Sequence, residues 1–233
     1  MVDRRAAGEP LEHVLGWAEF CGLRITVASG VFVPRRRTEF LVAQAAVLAR
    51  GEDPPSPPRG GNVVIVDLCC GAGAIGAALA AAVDRAEVHA ADIDPAAVRC
   101  ARQNLPGPQG HVYQGDLYQP LPAALRGRVD VLAANVPYVP TKEIDFLPPE
   151  ARAHEPQVAL DGGADGLDLL RRVAAQAPEW LSSGGHLLIE TSERQAPLAE
   201  AAFAASGLAA RVVSSDDLDA TVVIGRLRAE RES

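Results

Sequence analysis

Short continuous apolar runs alternate along this chain with longer segments whose apolar positions return every three or four residues. "VVIVDL" (63–68), "EVHAAD" (87–92), a short run near 111–114, "VDVLAAN" (129–135) and "GHLLIET" (185–191) have the length and composition of strands. A continuous apolar run such as the first fits a parallel strand covered on both faces. Between these runs the pattern predicts helices at 73–83, over "PAAVRCARQN" (95–104) behind Asp94-Pro95, at about 166–177 and at about 195–206. "ARVVSS" (210–215) and "ATVVIGRL" (220–227) predict two closing strands, near enough in sequence to pair antiparallel. The order predicts a doubly wound α/β sheet whose ligands sit beyond the carboxyl ends of its strands.

Ahead of that alternation the signals are shorter. "PLEHVLGWAEF" (10–20) predicts a short helix, and "LRITVASGVFV" (23–33) predicts a hairpin turning near Ser29-Gly30. "TEFLVAQAAVLAR" (38–50) predicts a helix with Thr38 as its cap. Four prolines and three glycines in "GEDPPSPPRGG" (51–61) predict a linker. The expected organisation is an N-terminal helix, hairpin and helix over 1–50, a linker over 51–61, and a main α/β domain over 62–233.

Composition narrows the classes. Of 233 residues, 48% are hydrophobic, as in globular proteins, but only two Trp, three Tyr and five Phe occur, so Ala, Val and Leu must fill the core. A net charge of −8 argues against a surface built to neutralise phosphates, and stable nucleic-acid binding is not expected. Cys21, Cys69, Cys70 and Cys100 form no Cys-x-x-Cys pair and the five histidines are scattered, so no metal site is expected. The charged start "MVDRRAAGEP" is no signal peptide, and the longest apolar run, Ala74 to Val83, is too short to span a membrane. A cytoplasmic protein with reduced thiols is expected.

The densest chemistry lies in "VVIVDLCCGAGAIGAALA". Gly71-Ala72-Gly73-Ala74-Ile75-Gly76 is a literal G-x-G-x-x-G between a strand and a helix, where glycines let the chain turn and a ligand approach the backbone. A nicotinamide-dependent oxidoreductase is therefore open. Asp67, ending the strand four residues before Gly71, disfavours a pyrophosphate; the ammonium and sulfonium of S-adenosylmethionine would not be repelled. Asp92, with Ile93 behind it, ends the next strand and can accept from both hydroxyls of a ribose, which either cofactor carries. After the third strand, Asp116 and Leu117 suit an adenine edge and face. Cys69 and Cys70 read as small packing residues beside the loop, since nothing nearby would lower their pKa.

A set of motifs in fixed order then resembles a known family. "GEPLEHVLGWAEFCGL", "GVFVPRRRTEFLV", "DLCCGAGAIG", "ADIDP", "GDLY", "NVPYVP", "HEPQVALDGGADGLD" and "LLIETSERQ" together resemble the protein-glutamine methyltransferases that act on the Gly-Gly-Gln loop of peptide chain release factors. The resemblance runs from about residue 4 to 195. It implies a Rossmann-like, seven-stranded class I methyltransferase fold, S-adenosylmethionine as cofactor and no metal. It also implies cofactor contacts at Asp67, Cys69, Cys70, Gly71, Ala72, Gly73, Asp92, Ile93, Asp116, Leu117 and Asn135. The implied partner is a release factor or another glutamine-bearing protein. The family's small helical domain precedes the hairpin, and this chain starts near where it would end, as in a truncated chain or a shorter relative with a different substrate.

The family's hallmark Asn-Pro-Pro-Tyr is Asn135-Val136-Pro137-Tyr138 here, and the resemblance assigns these four to catalysis. An amide nitrogen is a poor nucleophile because its lone pair is delocalised. Two acceptors gripping its N–H bonds, the Asn135 side-chain oxygen and the carbonyl of Val136, would aim it at the methyl group. Tyr138 would wall the planar amide. Val136 keeps the carbonyl and, before Pro137, an extended bias, but it releases Asn135 from the same restriction. Transfer to another amine or amide, on a small molecule or a base, and a non-catalytic cofactor-binding module remain alternatives. In "VPRRRTEF" Arg35 is a weaker site candidate, Arg36 and Arg37 read as solvated surface, and Glu190 ends the fifth strand near the cleft.

Overall fold

A computed structural model describes residues 1–52 and 61–228 of the chain. Seven strands form the main sheet: β3 (Val63–Leu68), β4 (Ala86–Asp92), β5 (Gly110–Gln114), β6 (Val129–Ala134), β7 (Leu181–Thr191), β8 (Leu208–Ser215) and β9 (Ala220–Leu227). Their order is β5-β4-β3-β6-β7-β9-β8. The first five in that order run parallel; β9 pairs antiparallel with both β7 and β8, as the closing strands predict. The chain winds outward from β3 in one direction and returns through β6 in the other. That reversal opens a crevice at the carboxyl ends of β3 and β6.

Strand alternation divides the core into two layers. Ile65, Val88 and Ala90 face helices α3 (Thr38–Ala49), α4 (Ala74–Ala82) and α5 (Pro95–Asn104). Val64, Val66 and Leu132 face α7 (Asp168–Trp180) and α8 (Ala196–Ala205), where Trp180 and Phe203 supply bulk. Helix α5 starts where the sequence predicts: Pro95 is at the first turn and the Asp94 carboxylate accepts from Ala96 N at 2.8 Å.

The N-terminal region departs from expectation. Helix α1 (Val2–Ala6) precedes α2 (Leu11–Leu15), which stops at Gly16 in the left-handed region (φ 80°). The rest of the predicted helix is strand β1 (Trp17–Phe20), paired antiparallel with β2 (Leu23–Thr26). The hairpin therefore turns at Cys21-Gly22, both with positive φ (50° and 73°), the geometry that matches strand twist in a two-residue loop. Ser29-Gly30 makes the next turn instead. Phe20, Ile25 and Val33 enter the same core layer as α3 to α5, and Asn104 on α5 bonds both the N–H and the carbonyl of Thr26, each at 2.9 Å. Of the expected linker only Gly51, Glu52 and Gly61 fall inside the described residues. Between β6 and α7 lie short helical turns that the sequence reading left unassigned, including α6 (Pro149–His154).

Candidate active site

The crevice is a cavity of about 720 Å³. Cys69, Cys70, Gly71, Ala72, Asp92, Ile93, Asp116, Leu117 and all of Asn135–Tyr138 line it, whereas Asp67 and Gly73 do not. Those two lie beneath the glycine loop and shape it. Cys69 takes a positive φ of 54°, uncommon for a side-chain-bearing residue, and Gly71 and Gly73 follow at 53° and 76°. A Cβ at Gly73 would stand 3.0 Å from that of Ala101, so only glycine lets α5 close against the loop. Asp67 is fully buried; its Oδ2 accepts from Gly76 N at 2.9 Å, tying strand end to helix start, while Oδ1 has no partner. Burial without a cation pushes its carboxyl up to about 7.

The neighbouring carboxylate is satisfied by backbone. Asp92 accepts from Gly71 N at 2.8 Å and from Asp94 N at 2.9 Å, one bond to each oxygen. A carboxylate oxygen has a second lone pair, so both can still take a hydroxyl. Burial moves this carboxyl up, and the two N–H bonds hold it back. Asp116 meets Arg172 Nη2 at 2.5 Å, a cavity-lining cation that no motif announced. Burial drives both loop thiols well above their usual range, as expected of packing residues.

Asn135 to Tyr138 follow β6 on the opposite wall. The tetrapeptide is braced from behind by the glycine-rich segment ahead of α7. Val139 N donates to Leu160 O at 3.1 Å and Gly162 N to Val139 O at 2.9 Å. A Cβ at Gly162 would come within 2.7 Å of the Pro137 carbonyl, and one at Gly166 would overlap the Tyr138 carbonyl. Gln195 closes the brace, its Nε2 donating to the Tyr138 and Asp165 carbonyls at 3.0 Å each. The glycines of "DGGADG" thus permit a close backbone approach.

The arginine run is split. Arg36 is exposed, but Arg35, the weaker site candidate, lines the cavity, and so does Arg37, a correction to its reading as solvated surface. Arg35 Nη2 pairs with Glu155 Oε1 at 2.5 Å; Glu155 is buried and its Oε2 has no partner. Arg37 Nε donates to Glu190 Oε1 at 3.0 Å, and its Nη2 donates to the Tyr138 hydroxyl. Thr38 does not cap α3. Its Oγ1 instead accepts from Asn135 Nδ2 at 3.3 Å. Pairing across more than a hundred residues for Arg37 and Glu155, and across 57 for Gln195 with Tyr138, explains why no local signal flagged them.

The histidines are not all scattered either. Parallel register sets His89 against His111, and strand alternation puts Glu87 on the same face; their ligand-type atoms lie within 4.8 Å. Both His89 ring nitrogens already have partners, Tyr113 Oη at 3.0 Å and Glu87 Oε1 at 3.1 Å.

Comparison with known proteins agrees with this geometry. The model of the "Methyltransferase small domain" family matches residues 55–147. A release factor glutamine methyltransferase of Streptomyces coelicolor is 42% identical over 84% of this chain and 67% of its own length. That of Geobacter sulfurreducens is 35% identical over 97% of this chain and 75% of its own length. The chain belongs to the release factor glutamine methyltransferase family. Family membership makes it an S-adenosylmethionine-dependent methyltransferase and closes the oxidoreductase alternative. A further relative, a 4-amino-L-phenylalanine/4-methylamino-L-phenylalanine methyltransferase of Streptomyces pristinaespiralis, is 36% identical over 88% of this chain and 69% of its own. Among solved structures, a methyltransferase of Pyrococcus furiosus shares the fold at TM-score 0.61 and 15% identity, over 97% of this chain and 98% of that one. A release factor-specific protein-(glutamine-N5) methyltransferase of Alicyclobacillus acidocaldarius does so at TM-score 0.51 and 21% identity, over 85% and 95%. No described helix is long and apolar enough to cross a membrane.

Proposed function

We propose that this protein methylates the side-chain amide nitrogen of a glutamine in a peptide chain release factor, with S-adenosylmethionine as donor. The observation that carries the reading is the meeting of the Asn135–Tyr138 clamp and the glycine loop on one cavity. The residues present fit the cofactor: Asp92 offers free lone pairs to a ribose, Leu117 an apolar face to an adenine, and the Gly71 backbone an unobstructed approach. Bound S-adenosylmethionine supplies an electrophilic methyl group on a sulfonium.

The chain's own residues then act on the acceptor. With Asn135 Nδ2 engaged by Thr38, Oδ1 is left to accept one amide N–H, and the Val136 carbonyl takes the other. Gripping both bonds aims the nitrogen and favours its pyramidal, developing-positive form. Tyr138, its hydroxyl held by Arg37, walls the amide plane. A strong base is not needed before transfer, because the nitrogen's proton becomes acidic once alkylated. No step calls for a metal. The setting is cytoplasmic.

A second reading is methylation of a small aromatic amine, favoured by the Streptomyces pristinaespiralis relative. Offering labelled cofactor to a purified release factor and to 4-amino-L-phenylalanine separates the two. Label on the release factor glutamine is expected. Label on the small amine alone would replace the first reading with the second.

A further inference from the structure

Two of the histidines, 22 residues apart in the chain, meet at the edge of the main sheet. Strand β5 is that edge, and none of its five residues is buried. Parallel register sets His111 beside His89 of β4, and their rings stack with centroids 4.7 Å apart, the spacing of neighbouring strands. Glu87, two residues before His89, shares the face. The connection from β5 to β6 carries only a three-residue helical turn, Ala123–Leu125, and Glu87 and His111 stay half-exposed. His89 is buried between them. Its Nε2 lies 3.1 Å from Glu87 Oε1. Two ligands of a tetrahedral ion with bonds of about 2.0–2.1 Å stand roughly 3.3 Å apart, so this pair is already spaced to share one. The other ring nitrogen, Nδ1, meets Tyr113 Oη at 3.0 Å. A partner at the far nitrogen is what orients a metal-ligating imidazole.

We propose that Glu87, His89 and His111 bind a divalent transition ion of the zinc class, which clips the edge strand β5 to β4. The ion takes the place of the proton shared by His89 Nε2 and Glu87 Oε1. His89 then keeps its ring proton on Nδ1 and donates it to the Tyr113 hydroxyl. His111 completes the set. The ligand-type atoms of the three residues lie within 4.8 Å of one another, and a half-exposed ring can turn out of its stack to close the remaining gap. Two imidazoles and one carboxylate suit zinc, whereas magnesium and calcium take oxygen ligands. Three protein ligands leave a fourth position to water. Arg128 is the opposing charge, felt at Glu87, and it already gives one N–H to the Ala124 carbonyl at 3.3 Å. None of the three ligands lines the cavity, so the ion takes no part in methyl transfer. Its reach there is indirect: β5 runs straight into Gly115, Asp116 and Leu117, and all three line the cavity.

The test titrates zinc and cobalt into chelator-treated, purified full-length chain, read by calorimetry and by the visible absorption of bound cobalt. One equivalent is expected, at micromolar affinity or tighter. His111→Ala should weaken binding at least about a hundredfold, and Tyr113→Phe about tenfold through loss of the partner at Nδ1. At about a hundredfold excess over Kd, zinc should raise the melting midpoint by about 5 °C or more. Glu87→Gln, which keeps the shape and loses the charge, is the second variant should His111→Ala lower the metal-free midpoint; it too should weaken binding at least about tenfold. Cys21, the exposed thiol, is the control. Partial burial of its sulfur and the charges of Glu39 and Glu19 push it up to about 12, beyond a ready thiolate ligand, so Cys21→Ser should bind as wild type does. Millimolar binding alone, or binding undiminished in both His111→Ala and Glu87→Gln, would overturn the site. Loss of binding in Cys21→Ser would overturn it too, by giving the ion to a thiol.

Discussion

The two walls of the cavity hold their carboxylates in contrasting ways. On the cofactor wall Asp67 and Asp92 are held by backbone N–H groups of a loop that lies between them in sequence. On the acceptor wall Glu155 and Glu190 are held by Arg35 and Arg37, from more than a hundred residues away. The first arrangement follows from a local turn and suits a cofactor common to a large class of enzymes. The second needs the whole fold before any of its pairs exist, and it touches the part of the site where acceptors differ.

If that division is right, substitutions on one wall should spare the function of the other. The largest effect is expected for Asn135→Ala: kcat should fall at least about a hundredfold, as for loss of an aimed polar group, with cofactor affinity unchanged by calorimetry. A parallel loss of cofactor binding would break the comparison. Asp92→Ala should do the converse, weakening cofactor binding by about ten- to a hundredfold, since two backbone bonds and the proposed ribose contacts lose their acceptor. Its kcat at saturating cofactor should move much less.

Asp67 sharpens the contrast through pH. Its carboxyl is raised to about 7 in the fold against 3.8 for an ordinary one. A raised acid stabilises the fold while protonated, and that contribution is lost as pH climbs from about 4 to about 7. Asp67→Asn removes the titration, so the variant should gain on wild type by about 2 to 3 kcal/mol between pH 5 and pH 8. Denaturant unfolding at the two pH values measures it; an unchanged difference would mean that Asp67 keeps an ordinary pKa. The smallest effect is expected for Val136→Pro. It restricts Asn135 to extended backbone but keeps the carbonyl of residue 136, in a stretch already braced through Val139 and Gln195, so kcat should change by no more than about threefold. A tenfold gain would show that valine leaves the clamp loose.

The same contrast explains what could be read from residues alone. The parallel strands, the Asp94-Pro95 start of α5 and the glycine loop are written within ten residues each, and the structure has them where the pattern predicts. The hairpin was misplaced because Gly16, a helix stop, sits inside an apolar stretch of helical period, and the turn signal Cys21-Gly22 is atypical. Thr38 looked like a cap because it opens a helix; its hydroxyl is claimed instead by Asn135, 97 residues on. Arg37 looked like surface because neighbouring arginines usually are. Only the return of β7 beside β6 brings Glu190 under it.

The brace behind the tetrapeptide has a further consequence. Pro137, Tyr138 and Val139 are fastened to Gly162, Gly166 and Gln195, whereas the short helical turns over residues 141–159 cover the front of the cavity. The turns meet the framework at defined ties, Thr141 N to Gly163 O at 2.9 Å and Glu155 on Arg35 among them. Changes away from those ties can remodel the cavity's cover while the reaction geometry is inherited. A lineage built this way can exchange clients without reinventing its chemistry.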